Sequence, residues 1–180
     1  VLDMGVDIVN DIWALRQPGA ERVIAAHPAC GVCLMHMHRE PQTMQMQTMT
    51  GDVLAEVAAF LKGRVESLTA QGIASSRLML DPGIGFGKTV AQNFQLLARQ
   101  SDVLRLGYPV LAGWSRKSSL GAVLSDKGQI PEPAQRQAAS VAAALLAVDR
   151  GSRVVRVHDV KPTVDALKVW QAMQSHIGVD

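Results

Sequence analysis

Short apolar runs alternate with longer amphipathic stretches along this chain, and that alternation leaves few folds open. The runs at 6–9, 32–36, 78–80, 109–112 and 153–157 are too short for helices and rich in large or β-branched aliphatic residues. Between them lie segments with helical spacing. The clearest places Leu54, Val57, Ala58, Leu61, Val65 and Leu68 at i, i+3, i+4 intervals with Gly72 as its stop, a stripe suited to covering a sheet. Strands alternating with helices predict a parallel α/β sheet whose strand ends form one functional face. Further helices are expected at 19–27, near 93–100, at 118–124, and at 133–150 with a face of Ala138, Val141, Ala142, Leu145 and Val148. A last helix opens at Pro162, with Leu167, Trp170 and Met173 inward. Residues 1–5 read as the tail of a helix, and 39–50, with Met44, Met46 and Met49 among polar residues, as a mobile loop. No internal repeat or linker divides the chain, so 1–180 is read as one domain.

Composition narrows the function classes. The chain is 48% hydrophobic and 19% charged, as expected for an ordinary domain with a real core. Its formal charge of +2 is too small and too dispersed to make nucleic acid or a membrane surface the main partner. The longest apolar stretch, 138–148, is far short of a membrane span and no charged-then-apolar leader opens the chain, so a cytoplasmic location is expected. Cys30 and Cys33 form a C-x-x-C ahead of a strand, not at a helix N-terminus where the dipole lowers a thiol pKa. They are read as structural thiols.

The chemistry gathers where strands end. The run Leu78, Met79, Leu80 stops at Asp81-Pro82-Gly83, which places a carboxylate at the carboxyl end of a buried strand, where α/β sheets hold their ligands. The following Gly83, Gly85, Gly87 and Lys88 resemble a nucleotide phosphate loop, but the spacing refuses it. Gly83 and Gly87 enclose one residue too few for a Walker loop, and Lys88 stands where a dinucleotide fingerprint needs its third glycine. Other strand ends bring Asn10 and Asp11, His36 and His38, Ser115, Arg116 and Lys117, and Arg156 and His158. Asn10 could merely cap a turn. His36 and His38 lack a third ligand at metal-binding spacing. Arg156 and His158, at i and i+2 on a strand end, suit an anion clamp or a salt-bridged pair.

In order, Val-Asn-Asp-Ile at 9–12, Cys-Leu-Met-His-Met at 33–37, Pro-Gln-Thr-Met-Gln at 41–45, Leu-Asp-Pro-Gly-Ile-Gly-Phe-Gly-Lys at 80–88, Ser-Arg-Lys-Ser at 115–118 and Arg-Val-His-Asp-Val at 156–160 resemble dihydropteroate synthase. The resemblance implies a pterin-binding TIM (β/α)8 barrel, represented here by its fourth to eighth units, about three units short of closure. It implies a transferase of folate biosynthesis joining 6-hydroxymethyl-7,8-dihydropterin diphosphate to 4-aminobenzoate, with release of pyrophosphate and competition by sulfonamides. Carried over residue by residue, Asp81 and Asn10 would meet the pterin edge and Lys117 its acceptor side. Arg156 and His158 would hold the diphosphate, and Phe86, Ser115 and Arg116 would border the aminobenzoate, with Met35 also against substrate. Lys117, Arg156 and His158 would be the catalytic groups. The resemblance further implies Mg²⁺, although the family's Mg²⁺ loop is not in this sequence, and a homodimer. The alternatives are a pterin-binding methyltransferase barrel and a non-catalytic chain.

Overall fold

A computed structural model describes residues 2–40 and 48–177. Five strands, β1 (Ile8–Asp11), β2 (Gly31–Met35), β3 (Leu78–Asp81), β4 (Leu111–Ala112) and β5 (Val154–Val155), run parallel in chain order. β1, β2 and β3 form one ladder and β4 and β5 another. A parallel bridge between Leu80 and Val110 joins the two, and the Leu80 N–H donates to the Pro109 carbonyl at 2.9 Å. The expected order therefore holds, with β4 and β5 shorter than the apolar runs that carry them.

Helices follow the strands: α1 (Ala20–Ala26), α2 (Val53–Ala70), α3 (Val90–Ala98), α4 (Ser101–Leu104), α5 (Ser118–Val123), α6 (Gln137–Asp149) and α7 (Val160–Gln174). Asp52 starts α2 by accepting the N–H groups of Leu54 and Ala55, satisfying donors the first turn cannot. The buried stripe of α2 is the expected one, with Val53 added and Ala58 only partly covered. A capping box between Thr89 and Gln92 begins α3 at Val90, ahead of the expected start, and the separate turn α4 was not foreseen.

β1 ends in Asn10 and Asp11 as expected, although it starts at Ile8 and not at residue 6, and Asn10 pairs with Cys33. Three expectations are corrected. The buried face of α6 is Ser140, Ala143, Ala144 and Ala147, whereas Ala138 and Ala142 are exposed. This helix is apolar nearly all round, so periodicity does not choose a face; the smallest side chains face inward and allow close approach. Along α7 only Thr163 is buried, and Met173 is 51% exposed because the helix lies along α6 without reaching the sheet with that turn. Residues Leu2–Met4 form a 3-10 turn and not a helix tail. In the stretch expected to be mobile, Met44 and Met46 lie outside the described residues. Met49 is buried, its N–H donating to the Gly87 carbonyl at 2.8 Å.

The core lies between the strands and α2, α3 and α6, where Leu34, Leu61, Leu68, Leu80, Leu96 and Trp114 lose nearly all contact with water. Leu61→Ala should lower the unfolding free energy in urea by about 2–5 kcal/mol, the usual cost of a core cavity. Met173→Ala should change it by less than about 0.5 kcal/mol. Comparable losses at both positions would contradict the orientation of α7.

Candidate functional site

Asp81 is the last residue of β3 and only 6% exposed. Its register partner on β2 is Met35, so both side chains belong to the same level of the sheet. The chain leaves β3 through Gly83, whose φ of +71° brings its N–H back onto Asp81 Oδ1 at 2.7 Å. A β-carbon on Gly83 would lie 1.8 Å from the His36 carbonyl oxygen, so the end of β2 and this turn are in direct contact. Lys88 then closes the segment from inside: its Nζ lies 2.9 Å from both His36 Nδ1 and the Gly83 carbonyl, and 3.3 Å from that of Phe86. Asn93 of α3, 1% exposed, accepts the Gly85 N–H and donates to Ser119 Oγ of α5, strapping the β3 turn to the next unit.

A cavity of about 150 Å³ opens at these strand ends and brings together Asn10, Met35, Asp81, Phe86, Lys117 and Arg156. Ile12, Ile84 and Gly113, which the sequence reading did not single out, complete its wall. Three wider depressions border α1, of about 400, 560 and 450 Å³, but none contains Asp81 or the cations around it.

The remaining expected site residues lie beside this cavity and not in its wall. Ser115 Oγ accepts the His158 N–H at 3.1 Å and lies 2.9 Å from His158 Nδ1. Arg116, at a φ of +60°, turns its guanidinium away from Lys117 and onto Asp159, at 2.9 and 3.3 Å. Both of its backbone groups are fastened from the stretch that leads into and forms α6: its N–H donates to Ser140 Oγ at 2.9 Å, and its carbonyl accepts from Arg136 at 3.0 Å. The Ser-Arg-Lys-Ser segment therefore divides, Lys117 into the cavity and Arg116 into a neighbouring polar belt. Lys88 and Asn93 went unassigned in the sequence; the Gly-Phe-Gly-Lys run was the available signal for the first.

Electrostatics follow from burial. Asp81 is pushed up to about 6 by the loss of water, while the Gly83 N–H and the charges of Lys117, Lys88 and Arg156 hold it from rising further. Lys88 is pushed down to about 7 by burial, opposed by Asp81. Lys117 is lowered, again chiefly by burial, and its ammonium lies 4.2 Å from the centre of the Phe86 ring. Burial and then Lys88 push His36 down to about 3, so its ring is neutral at pH 7 and its Nδ1 can accept from Lys88. Burial and Asp81 raise the Cys33 thiol, which keeps it protonated, in keeping with a structural role.

Mg²⁺ does not suit these residues. The cavity offers one carboxylate beside cationic side chains, and the described residues include no group of three or more His, Cys, Asp or Glu able to hold a metal ion.

A family model described as "Pterin binding enzyme" matches residues 1–158, and the chain belongs to the pterin-binding enzyme family. Within that family it is similar to dihydropteroate synthases. That of Neisseria meningitidis serogroup C is 46% identical over 170 residues, covering 94% of this chain and 59% of that protein. A solved dihydropteroate synthase of Burkholderia cenocepacia complexed with 7,8-dihydropteroate is 50% identical with a TM-score of 0.87, covering 97% of this chain and 63% of that one. A Xanthomonas albilineans dihydropteroate synthase with 4-aminobenzoic acid is 48% identical with a TM-score of 0.87, covering 97% and 60%. The chain thus spans about three-fifths of the length of these relatives, and its five parallel units are part of their TIM barrel.

The neutral His36 gives a pH test. Between about pH 6.5 and 3 the unfolded chain holds a proton on this histidine that the folded chain does not, so the residue's contribution to stability falls as pH drops through that window. Asp81 acts oppositely between about 3.8 and 6, where the folded chain holds the extra proton. Urea unfolding from pH 7.5 to 4 should therefore show the gap between wild type and His36→Gln narrowing with acidification. A gap that stays constant would refute a buried neutral imidazole.

Proposed function

We propose that this chain carries the pterin- and diphosphate-facing side of a dihydropteroate synthase site. The reaction is the transfer that joins 6-hydroxymethyl-7,8-dihydropterin diphosphate to 4-aminobenzoate. The observation that carries this reading is a single buried carboxylate, Asp81, facing Lys117 and Arg156 across one cavity at the strand ends. A pterin edge offers a ring N–H beside an exocyclic amine, two parallel donors that an ionised carboxylate accepts as a fork. With its pKa near 6, Asp81 is ionised at pH 7 and available for that fork. Asn10 meets the neighbouring edge, Lys117 the acceptor side, and Met35 packs on the ring.

Arg156 and His158 hold the diphosphate, and the Arg156 guanidinium stabilises the leaving group as the bond from the pterin methylene to oxygen breaks. The aminobenzoate nitrogen, bordered by Phe86, Ser115 and Arg116, forms the new carbon–nitrogen bond, and its proton leaves with the pyrophosphate. Sulfonamides compete for the aminobenzoate position. A pterin-dependent methyl transfer releases no diphosphate and would leave Arg156 without a task. The same reading makes the protein a cytoplasmic homodimer; among the described residues no helix is long and apolar enough to cross a membrane.

Calorimetry with a pterin analogue tests the assignment. Asp81→Ala should lose about 2–5 kcal/mol of binding, the range for removing one partner of a buried charged hydrogen bond. Asp81→Asn should also bind poorly, because its amide donors would face the pterin's donors. Unchanged affinity in both variants would sink the reading. A second measurement concerns turnover. The residues that the family resemblance assigns to Mg²⁺ and to the far side of the pterin are not among these 180. The purified chain should therefore bind pyrophosphate without forming dihydropteroate; robust turnover by the chain alone would overturn that expectation.

A further inference from the structure

Lys88 is 4% exposed, an ammonium taken almost wholly out of water, and no role assigned above uses it. A space-filling residue at this depth would be served as well by methionine or leucine, without the cost of burying a charge. Its polar contacts show what the charge does. Three acceptors converge on Nζ: the His36 ring, the Gly83 carbonyl and the Phe86 carbonyl. The His36 carbonyl stands slightly farther off, at 3.5 Å. The acceptors come from the end of β2 and from both ends of the turn that follows β3, itself closed by the Phe86 N–H on the Gly83 carbonyl at 3.1 Å. The ammonium thus sits inside the turn with carbonyl oxygens converging on it, much as they would on a bound cation.

The two anchored residues are those in contact with the charged groups of the cavity. Gly83 donates its N–H to Asp81, and Phe86 lies under the Lys117 ammonium. We propose that Lys88 is a positioning residue of the pterin pocket: by drawing Gly83, Phe86 and His36 onto one point, it fixes Asp81 through the first and Lys117 through the second. This deepens the pterin reading given above and rests on it. Other charges act on the same ensemble and set its pH response. His36 and His38 follow from β2, Cys33 lies on β2, Asp81 ends β3, Lys117 precedes α5, and Arg156 follows β5, while Arg16, Arg39 and Glu56 act on the histidines.

The experiment is calorimetric binding of 6-hydroxymethylpterin to the 180-residue chain between pH 5.5 and 8.5, for wild type, Lys88→Met, Asp81→Ala and the double variant. Lys88→Met should weaken binding about twofold at pH 7 and nearly tenfold at pH 5.5, moving the acid limb of the profile to higher pH, because Asp81 loses both a nearby cation and a fixed Gly83 N–H; a rise of about one unit in a carboxylate that starts near 6 has that effect. In the Asp81→Ala background the same change should do little, since its effect runs through Asp81. A merely structural lysine would lower the melting temperature, leave the acid limb in place and add to Asp81→Ala. That outcome, or wild-type affinity in Lys88→Met, overturns the proposal.

Loss of binding in Asp81→Ala with none in Lys88→Met leaves the pterin reading standing and this inference refuted; unchanged binding in Asp81→Ala refutes the reading itself. If Lys88→Met does not fold, Lys88→Gln, which keeps amide donors without the charge, is read in the same way. In the wild-type chain the titration of Lys88 Nζ, followed by NMR, must also move when 6-hydroxymethylpterin binds; an unmoved titration overturns the proposal whatever the variants do.

Discussion

Taking one carboxylate out of water at the end of β3 is the constraint from which much of the local structure follows. An isolated buried charge is untenable, so Asp81 must be met by donors and cations that a single βα unit cannot supply. The nearest donor is the Gly83 N–H, which reaches it only because the turn adopts a left-handed conformation. That conformation fits only if β2 and β3 are in register, with Met35 opposite Asp81 and the His36 carbonyl filling the space beside Gly83. The cations come from three further places: Lys88 after the same turn, Lys117 before α5 and Arg156 after β5. Strand register, turn geometry and the order of the units are thereby tied to one electrostatic requirement.

Around this ionic centre lies a polar belt with a different task. Arg116 is pinned in an unfavourable backbone conformation by Ser140 and Arg136, and its side chain bridges to Asp159 at the start of α7. Ser115 and His158 make a parallel link between the same two units. Asn93 joins the β3 turn to α5. Neighbouring units are therefore locked by side chains at their functional ends, above strands β4 and β5 that supply little ladder of their own.

Much of this was legible in the sequence, and the parts that were not share a cause. The alternation of runs gave the order of units, and Asp81 was marked by turn residues directly after an apolar strand. The family resemblance named six residues that the fold gathers into one cavity. What escaped depended on contacts between units. A helix as uniformly apolar as α6 carries no periodic signal for its inward face, and Met173 satisfied helical spacing yet met no sheet. The lengths of β4 and β5 are set by pairing that their own residues do not encode. Arg116 and Lys117 are adjacent in sequence, so only the positive φ at Arg116 reveals that their side chains part, one onto Asp159 and the other into the cavity. Lys88 was hidden by its resemblance to a phosphate-loop lysine, a role whose spacing fails here.

The order of the strands also bears on how the chain is made. Sheets whose neighbours in space are neighbours in sequence can pair as they leave the ribosome, and synthesis favours folding from the N-terminal side. β1, β2 and β3 can thus associate while β4 and β5 are still unmade. At that stage Asp81 has its turn but neither Lys117 nor Arg156, so its carboxyl is best left hydrated or protonated. Delivery of Arg156 with the last strand removes that penalty, which makes charge neutralisation at the pocket a late, translation-ordered step in consolidating the domain.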